Sequence, residues 1–410
     1  MRSIAVIGYG VVGSGVVEVI YNNAEVIERK LGEKIEVKYI LDLRDFPDSP
    51  YATKFIKDFN IILNDPEVSV VAEMITNAKV AYEYTKQALS AGKSVVTSSK
   101  AVVAQYGAEL LALAREHNAA YLFEASVGGG IPIIRPMHQC LAANEIDEVE
   151  GILNGTTNYI LTKMFREKLS FEDALGQAQA NGYAELNPAA DVEGLDTCRK
   201  ICILASLAFG RHVYPDRVHT EGITSMSLQD MDNLNQADMT VKLLGRAYRK
   251  GDQLFAMVCP CAISHDHPLA NVEDVFNAIL VKGNATGDVM FYGKGAGKLP
   301  TASAVVADII DVCKNGDRSK DISWKAVDVE FVSDYQLEKT AFYLRTEVTD
   351  RRKALNYAKK LFGNVRVFDG AENELCFITE TALENQLAGK LEAFSQSAEV
   401  SAVKNKIRVL

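Results

Sequence analysis

Apolar positions in this chain follow two rules in turn. In the first third, short runs that are largely apolar, at 4–7, 35–41, 68–75, 94–97 and 119–123, read as buried strands. Between them apolar residues recur every three to four positions, as in Val12, Val16, Ile20 and Ile27, and predict helices, with others at 78–90 and 102–117. Strand and helix in alternation predict an α/β unit with a parallel sheet.

Beyond residue 148 the pattern changes. A strand at 149–153 runs into Asn154-Gly155-Thr156-Thr157 at a helix start, and Ser170 with Asp173 caps a further helix that Gly182 ends. A polar interval follows, read as a loop because Asn187-Pro188 favours a turn, and helical spacing resumes from Leu195. Strands at 241–248 and 254–259 joined across Gly251-Asp252, then 276–281 and 288–292, predict a mostly antiparallel sheet. A Gly-rich turn at 292–301 leads into a small-residue helix at 301–312. The last stretch reads β-α-β-β-α-β, a ferredoxin-like order. The expected domains are a Rossmann dinucleotide-binding domain at 1–135, an α+β substrate-binding and dimerisation domain at 136–335, and a ferredoxin-like domain at 336–410.

Composition narrows the partners. With 410 residues the chain is long enough for two or three domains. A net charge of −10 leaves no basic excess to neutralise phosphates, so nucleic acid and anionic membrane are not expected partners. Seven scattered cysteines suggest reduced thiols. No signal-like segment or bilayer-length apolar run is seen, and the expected location is the cytoplasm.

The candidate chemistry begins with Gly8-Tyr9-Gly10-Val11-Val12-Gly13, placed between a strand and a helix. Gly8 permits a tight turn, Gly10 a close approach by a pyrophosphate, and Gly13 close helix–strand packing. After the second strand, Asp42 would read the ribose hydroxyls of NAD and Arg44 the 2′-phosphate of NADP, so both coenzymes stay open. Thr76, Ser98 and Lys100 follow strand ends, where open α/β sheets place ligands. In the interval 182–200, Asp196 and Lys200 stand four apart on a helix beside Tyr183, Glu185 and Asp191, which suit the hydroxyl or ammonium of a small polar substrate. The bland alternative is a solvated ion pair worth about 0.2–0.5 kcal/mol.

Gly182, Tyr183, Glu185, Pro188, Asp191, Gly194, Asp196, Arg199 and Lys200 together resemble the homoserine dehydrogenase pattern, as do Asn154-Gly155-Thr156 with Asn158-Tyr159-Ile160-Leu161, and residues 292–308. Asn187 departs from it, standing where the family usually has Asp. The resemblance implies NAD(P)-dependent interconversion of L-aspartate 4-semialdehyde and L-homoserine, in threonine, methionine and isoleucine biosynthesis, by a homodimer or higher homo-oligomer. It implies Lys200 as proton donor, with Lys100 assisting and Asp196 orienting. Glu185, Tyr183, Asp191, Gly155 and Thr156 would hold the substrate, and Gly297 would return to the cofactor. It also implies a sodium or potassium ion held by Glu124 and main-chain oxygens of Val127, Gly129 and Ile131. The tail resembles an ACT domain, but Lys353 stands where such domains have the Gly that exposes its backbone, which favours a structural role over threonine sensing. Two rivals remain: another NAD(P) dehydrogenase acting on an amino-acid-like aldehyde, and a nucleotide-binding regulatory protein.

Overall fold

The computed structural model describes residues 1–315, 322–327 and 331–410. They fall into two units, each assembled from three stretches: Met1–Val149, Arg199–Pro215 and Val281–Phe331 in the first, and Glu150–Cys198, Asp216–Leu280 and Val332–Leu410 in the second.

The first unit opens with β1 (Arg2–Ile7), α1 (Val11–Asn22), α2 (Ala24–Leu31), β2 (Ile35–Leu41), β3 (Phe55–Ile56), α3 (Phe59–Asn64), β4 (Val68–Glu73), α4 (Ala78–Ser90), β5 (Ser94–Thr97), α5 (Lys100–Glu116) and β6 (Tyr121–Leu122). The strands form one six-stranded parallel sheet in the order β3-β2-β1-β4-β5-β6. Ile4 to Ile7 and Val70 to Ala72 are buried, as strands covered on both faces require. The strand order reverses between β1 and β4, and that crevice, at the carboxyl ends of the strands, is where doubly wound sheets bind ligands. β4 stops at Glu73, two residues short of the apolar run, because the Glu73 carboxylate takes the Ile75 N–H at 2.5 Å.

The chain continues through β7 (Ile146–Ile152), α6 (Gly155–Glu167), α7 (Phe171–Ala180), α8 (Ala189–Val192), α9 (Leu195–Phe209), β8 (His219–Thr220), α10 (Leu228–Gln236), β9 (Met239–Lys250), β10 (Gln253–Ser264), β11 (Phe276–Gly283), β12 (Gly287–Lys294) and α11 (Lys298–Asn315). The tail adds β13 (Lys339–Val348), α12 (Arg351–Phe362), β14 (Arg366–Phe368), β15 (Glu374–Ile378), β16 (Ala382–Leu383), α13 (Glu384–Ser395) and β17 (Val400–Val409). In the first unit α11 packs on α1 closely enough that a Cβ on Gly15 would meet Ala302 Cβ at 3.1 Å.

In the second unit the strands run β11-β7-β9-β10-β17-β13-β15-β14. The β9–β10 hairpin is antiparallel over its full length, from Met239 opposite Ser264 to Lys250 opposite Gln253. β17 joins it in parallel, with Cys261 opposite Arg408 and Ala262 opposite Val409, so the tail's sheet continues that of the middle segment. The tail's own core is Phe342, Leu344, Phe362, Phe377, Leu387 and Phe394, drawn from α12, α13 and the strands beneath them. The β17 junction buries Arg408, whose guanidinium donates to both Glu221 and Glu384.

Candidate functional site

The glycines after β1 are there for three different reasons. Gly8 has φ +88°, and a Cβ on it would lie 2.7 Å from the Met74 carbonyl oxygen. On Gly13 a Cβ would lie 1.9 Å from the Gly8 carbonyl oxygen, so only glycine lets α1 start this close to β1. Gly10 has open space where its Cβ would be, and it precedes α1 with no side-chain cap on the helix. Bare N–H groups beside open space at a helix start fit a pyrophosphate. Val11 is 68% exposed beside that space, and Val12 follows it in the first turn of α1.

Asp42, the residue after β2, closes over this loop. Its carboxylate accepts the Tyr9 N–H at 2.8 Å and grips the Arg44 guanidinium through Nε at 3.0 Å and Nη2 at 2.8 Å. Arg44 also donates to the Tyr9 carbonyl at 3.1 Å. The Arg44 hydrogen bonds hold the Asp42 carboxyl at about 2, below the usual carboxylate range. Tyr9 packs edge-on against Phe46 and Phe55, which fixes the turn. The two residues read as rivals from sequence are thus one ion pair: an anion near Arg44 competes with Asp42 for the same guanidinium. Lys57, overlooked in the sequence, donates to the Leu43 and Arg44 carbonyls and adds a second cation to this turn.

Thr76 is exposed in the turn after β4, and Ser98 and Lys100 follow β5, with Lys100 as first residue of α5. Glu73 and Thr97 lie beneath these turns as register partners in the two strands. Gly297 has φ +127°, and its carbonyl accepts the Thr301 N–H at the start of α11, whose Lys298 donates to Glu18 of α1 at 2.6 Å. Helix α11 therefore brings Gly297 alongside the helix that the glycine loop opens.

Glu124 is 4% exposed, and its carboxylate accepts three backbone N–H groups, those of Ile133 at 2.6 Å, Ile134 at 2.8 Å and Arg135 at 2.8 Å. A carboxylate offers about four acceptor sites, so most of its capacity serves the chain. Gly128 and Gly129 both have positive φ, and a Cβ on Gly129 would lie 2.5 Å from the Gly295 carbonyl oxygen. The Gly128 carbonyl closes the turn to Ile131 at 2.8 Å, whereas the carbonyls of Val127, Gly129 and Ile131 are the ones the resemblance names. Burial and the nearby Glu124 charge push Asp308 up to about 8, against the pull of Arg135. Among the described residues no three His, Cys, Asp or Glu side chains gather as a metal cluster.

In the second unit the expected loop after Gly182 contains a short helix, α8, held by its own backbone: the Asp191 and Val192 N–H groups both donate to the Pro188 carbonyl. Asn154 organises the acidic residues here. Its Nδ2 donates one hydrogen to Asp191 at 2.7 Å and the other to Asp196 at 2.8 Å, while its Oδ1 accepts from the Thr157 N–H and caps α6. One amide thus gathers two carboxylates into a place suited to an ammonium. Sequence reading missed it, because the Asn-Gly-Thr run looks like an ordinary helix start.

The neighbouring residues divide by task. A Cβ on Gly155 would lie 2.8 Å from the Val275 carbonyl oxygen, so this glycine serves close packing. The Thr156 hydroxyl donates to the Tyr183 carbonyl at 2.7 Å and ties the loop to α6. Tyr183 is 45% exposed, stacked edge-on against Tyr159, and Glu185 is exposed. Asp196 and Lys200, four residues apart in α9, are 3% and 8% exposed, which overturns the solvated-face alternative. Asp196 belongs to the second unit, while Lys200 belongs to the first, with Lys100 and the glycine loop.

Comparison with known proteins points one way. Residues 132–310 match the family model for homoserine dehydrogenase and residues 8–124 that for its NAD-binding domain. The chain is 38% identical to a homoserine dehydrogenase of Synechocystis sp., with 99% of each chain aligned. A crystal structure of a homoserine dehydrogenase from Thiobacillus denitrificans is similar with TM-score 0.93 at 32% identity, covering 100% of this chain and 98% of that one. A hyperthermophilic archaeal homoserine dehydrogenase in complex with NADPH is similar with TM-score 0.64 at 27% identity, covering 76% of this chain and 97% of that one.

Proposed function

The chain belongs to the homoserine dehydrogenase family of NAD(P)-dependent oxidoreductases, and on that premise we propose how its residues divide the work of interconverting L-homoserine and L-aspartate 4-semialdehyde. The observation that carries the reading is the pair of carboxylates, Asp191 and Asp196, gathered by Asn154 below a polar loop. Together with Glu185 and the exposed ring of Tyr183, they give the second unit what the α-ammonium and hydroxyl of a small amino alcohol require. The nicotinamide, when bound, accepts or donates the hydride, and the protein supplies position and proton.

Lys200 gives the proton to the nascent alkoxide in reduction and takes it back in oxidation, with Lys100 adding positive charge at the same oxygen. Asp196, one helical turn before Lys200, orients it. Gly8 to Gly13 hold the pyrophosphate, Thr76, Ser98 and Gly297 line the nicotinamide side, and Arg44 leaves Asp42 to meet a 2′-phosphate, with Lys57 behind it. A sodium or potassium ion at the carbonyls of Val127, Gly129 and Ile131 would use the acceptor capacity that Glu124 retains and stiffen the glycine-rich turn.

The functional segments are 1–135 for the dinucleotide, 136–335 for substrate and dimerisation, and 336–410 for an ACT-like module. That module supports assembly of the homo-oligomer: Lys353 sits in the first turn of α12, its N–H capped by Asp350, where an effector would need bare backbone. The enzyme works in the cytoplasm on the route to threonine, methionine and isoleucine; no helix among the described residues is long and apolar enough to cross a membrane.

The substrate assignment is tested by comparing homoserine with 4-hydroxybutyrate, which lacks the ammonium, as reductant of NAD⁺ or NADP⁺. Homoserine is expected to turn over at least about a hundredfold better, since the analogue brings no positive charge to the Asp191 and Asp196 carboxylates. Equal rates would reject the ammonium site.

A further inference from the structure

Glu73 is a buried acid to which the site described above gives no task. Glu73 ends β4, is wholly buried, and stands opposite Thr97 in the β4–β5 register. Its two oxygens reach in different directions. Oε1 accepts the Ile75 N–H at 2.5 Å, which shapes the turn after β4. Oε2 accepts the Thr97 hydroxyl at 2.6 Å, and the Thr97 oxygen in turn accepts the Ser99 N–H at 2.8 Å, which shapes the turn after β5. The Glu73 carbonyl takes the Ser98 N–H at 3.3 Å as well. The first of these turns also presses on the glycine loop, with the Met74 N–H bonded to the Ile7 carbonyl and the Met74 oxygen against Gly8.

We propose that Glu73 is a positioning residue for the dinucleotide, fixing through Ile75 and Thr97 the two strand-end turns that carry Thr76, Ser98 and Lys100. The proposal rests on the reading that these turns hold the coenzyme. A carboxylate is an expensive choice for a buried brace: burial pushes Glu73 up to about 7, and its partners are neutral donors. What the carboxylate adds is direction. When ionised it accepts on both oxygens, so the Thr97 hydrogen points at Glu73 and a Thr97 lone pair at Ser99. Glutamine in its place would turn its amide N–H on Thr97, so the Thr97 hydrogen loses its buried acceptor and the turn leading to Lys100 at the start of α5 loosens. The brace thereby links the turns on both sides of β4 and β5 without touching the coenzyme itself.

The test is titration of the full-length protein with NADPH and NADH, followed by nicotinamide fluorescence, a readout that needs no turnover. Glu73→Gln and Thr97→Val are each expected to weaken binding roughly tenfold, while Thr97→Ser, which keeps the hydroxyl, binds like wild type. The Glu73→Gln/Thr97→Val double variant is expected to lose no more than the worse single one, because both break the same relay. The KM for homoserine should stay within about twofold. Should Glu73→Gln misfold, Thr97→Val against Thr97→Ser carries the test alone. Wild-type affinity in folded Glu73→Gln or in Thr97→Val would overturn the proposal. So would additive losses, or equal losses in Thr97→Val and Thr97→Ser. Wild-type protein that binds neither coenzyme would overturn the reading beneath it and the proposal together.

Discussion

At the scale of single residues, side chains here do their work through what they hold in place. Asn154→Ala removes the donor that gathers Asp191 and Asp196 and also uncaps α6, so it is expected to raise the KM for homoserine at least tenfold and cost about 1 kcal/mol of stability, as steady-state kinetics and urea unfolding would show. Arg44→Ala frees Asp42 for ribose hydroxyls and removes the phosphate partner; NADP⁺ should lose roughly tenfold or more in kcat/KM while NAD⁺ holds or gains. His212 supplies a pH signature. Its Nδ1 accepts from the Trp324 indole at 2.8 Å, its Nε2 faces the Ala104 carbonyl at 2.9 Å, and burial lowers its pKa. A group whose pKa is depressed by folding charges more readily in the unfolded chain. The His212 contribution to stability should therefore be full above about pH 6.5 and be lost as the pH drops below it, so the difference in stability between wild type and His212→Gln should shrink as the pH falls. The single tryptophan, Trp324, reports the transition by fluorescence.

At the scale of elements, the sequence was legible where burial is periodic. All six strands of the parallel sheet except the two-residue β3 are foreshadowed by apolar runs, and α4, α5 and α9 by helical spacing. What escaped was decided by specific hydrogen bonds, near and far along the chain, that apolar periodicity does not encode. β4 ends at Glu73 because of a side-chain hydrogen bond, not because the apolar run ends. The short helix α8 forms in a stretch whose Asn-Pro pair reads as loop, since the carbonyl of Pro188, its N-cap, accepts the Asp191 and Val192 N–H groups. β17 is a readable strand, yet its parallel pairing with β10 depends on Arg408 finding Glu221 and Glu384, some 187 and 24 residues away. The glycine motif fared better, because steric demand is local: Gly13→Ala puts a Cβ 1.9 Å from the Gly8 oxygen and must push α1 off β1, which is expected to cost about 1–3 kcal/mol and abolish coenzyme binding together. Thermal unfolding with and without NADPH would check both at once.

At the scale of the whole molecule, each unit is assembled from stretches that the sequence order keeps apart. Motif reading recovered Asp196 and Lys200 as a pair four residues apart, but left open whether they were a solvated ion pair; their burial at 3% and 8% closes that question. It could not see Asn154 or Glu73 as organisers, because each matters only once residues distant in sequence, Asp191 and Asp196 for one and Thr97 for the other, are in place. Lys200 is the residue proposed to move the proton when homoserine is oxidised. The most direct measurement follows nicotinamide absorbance with homoserine and NAD⁺ or NADP⁺, for wild type and Lys200→Met in parallel, with coenzyme affinity measured on the same samples. Wild type is expected to reduce the coenzyme, and Lys200→Met to do so about 10²–10⁴-fold more slowly at unchanged coenzyme affinity. Near-normal turnover in the variant, or no reduction by folded wild type with either coenzyme, would overturn that role.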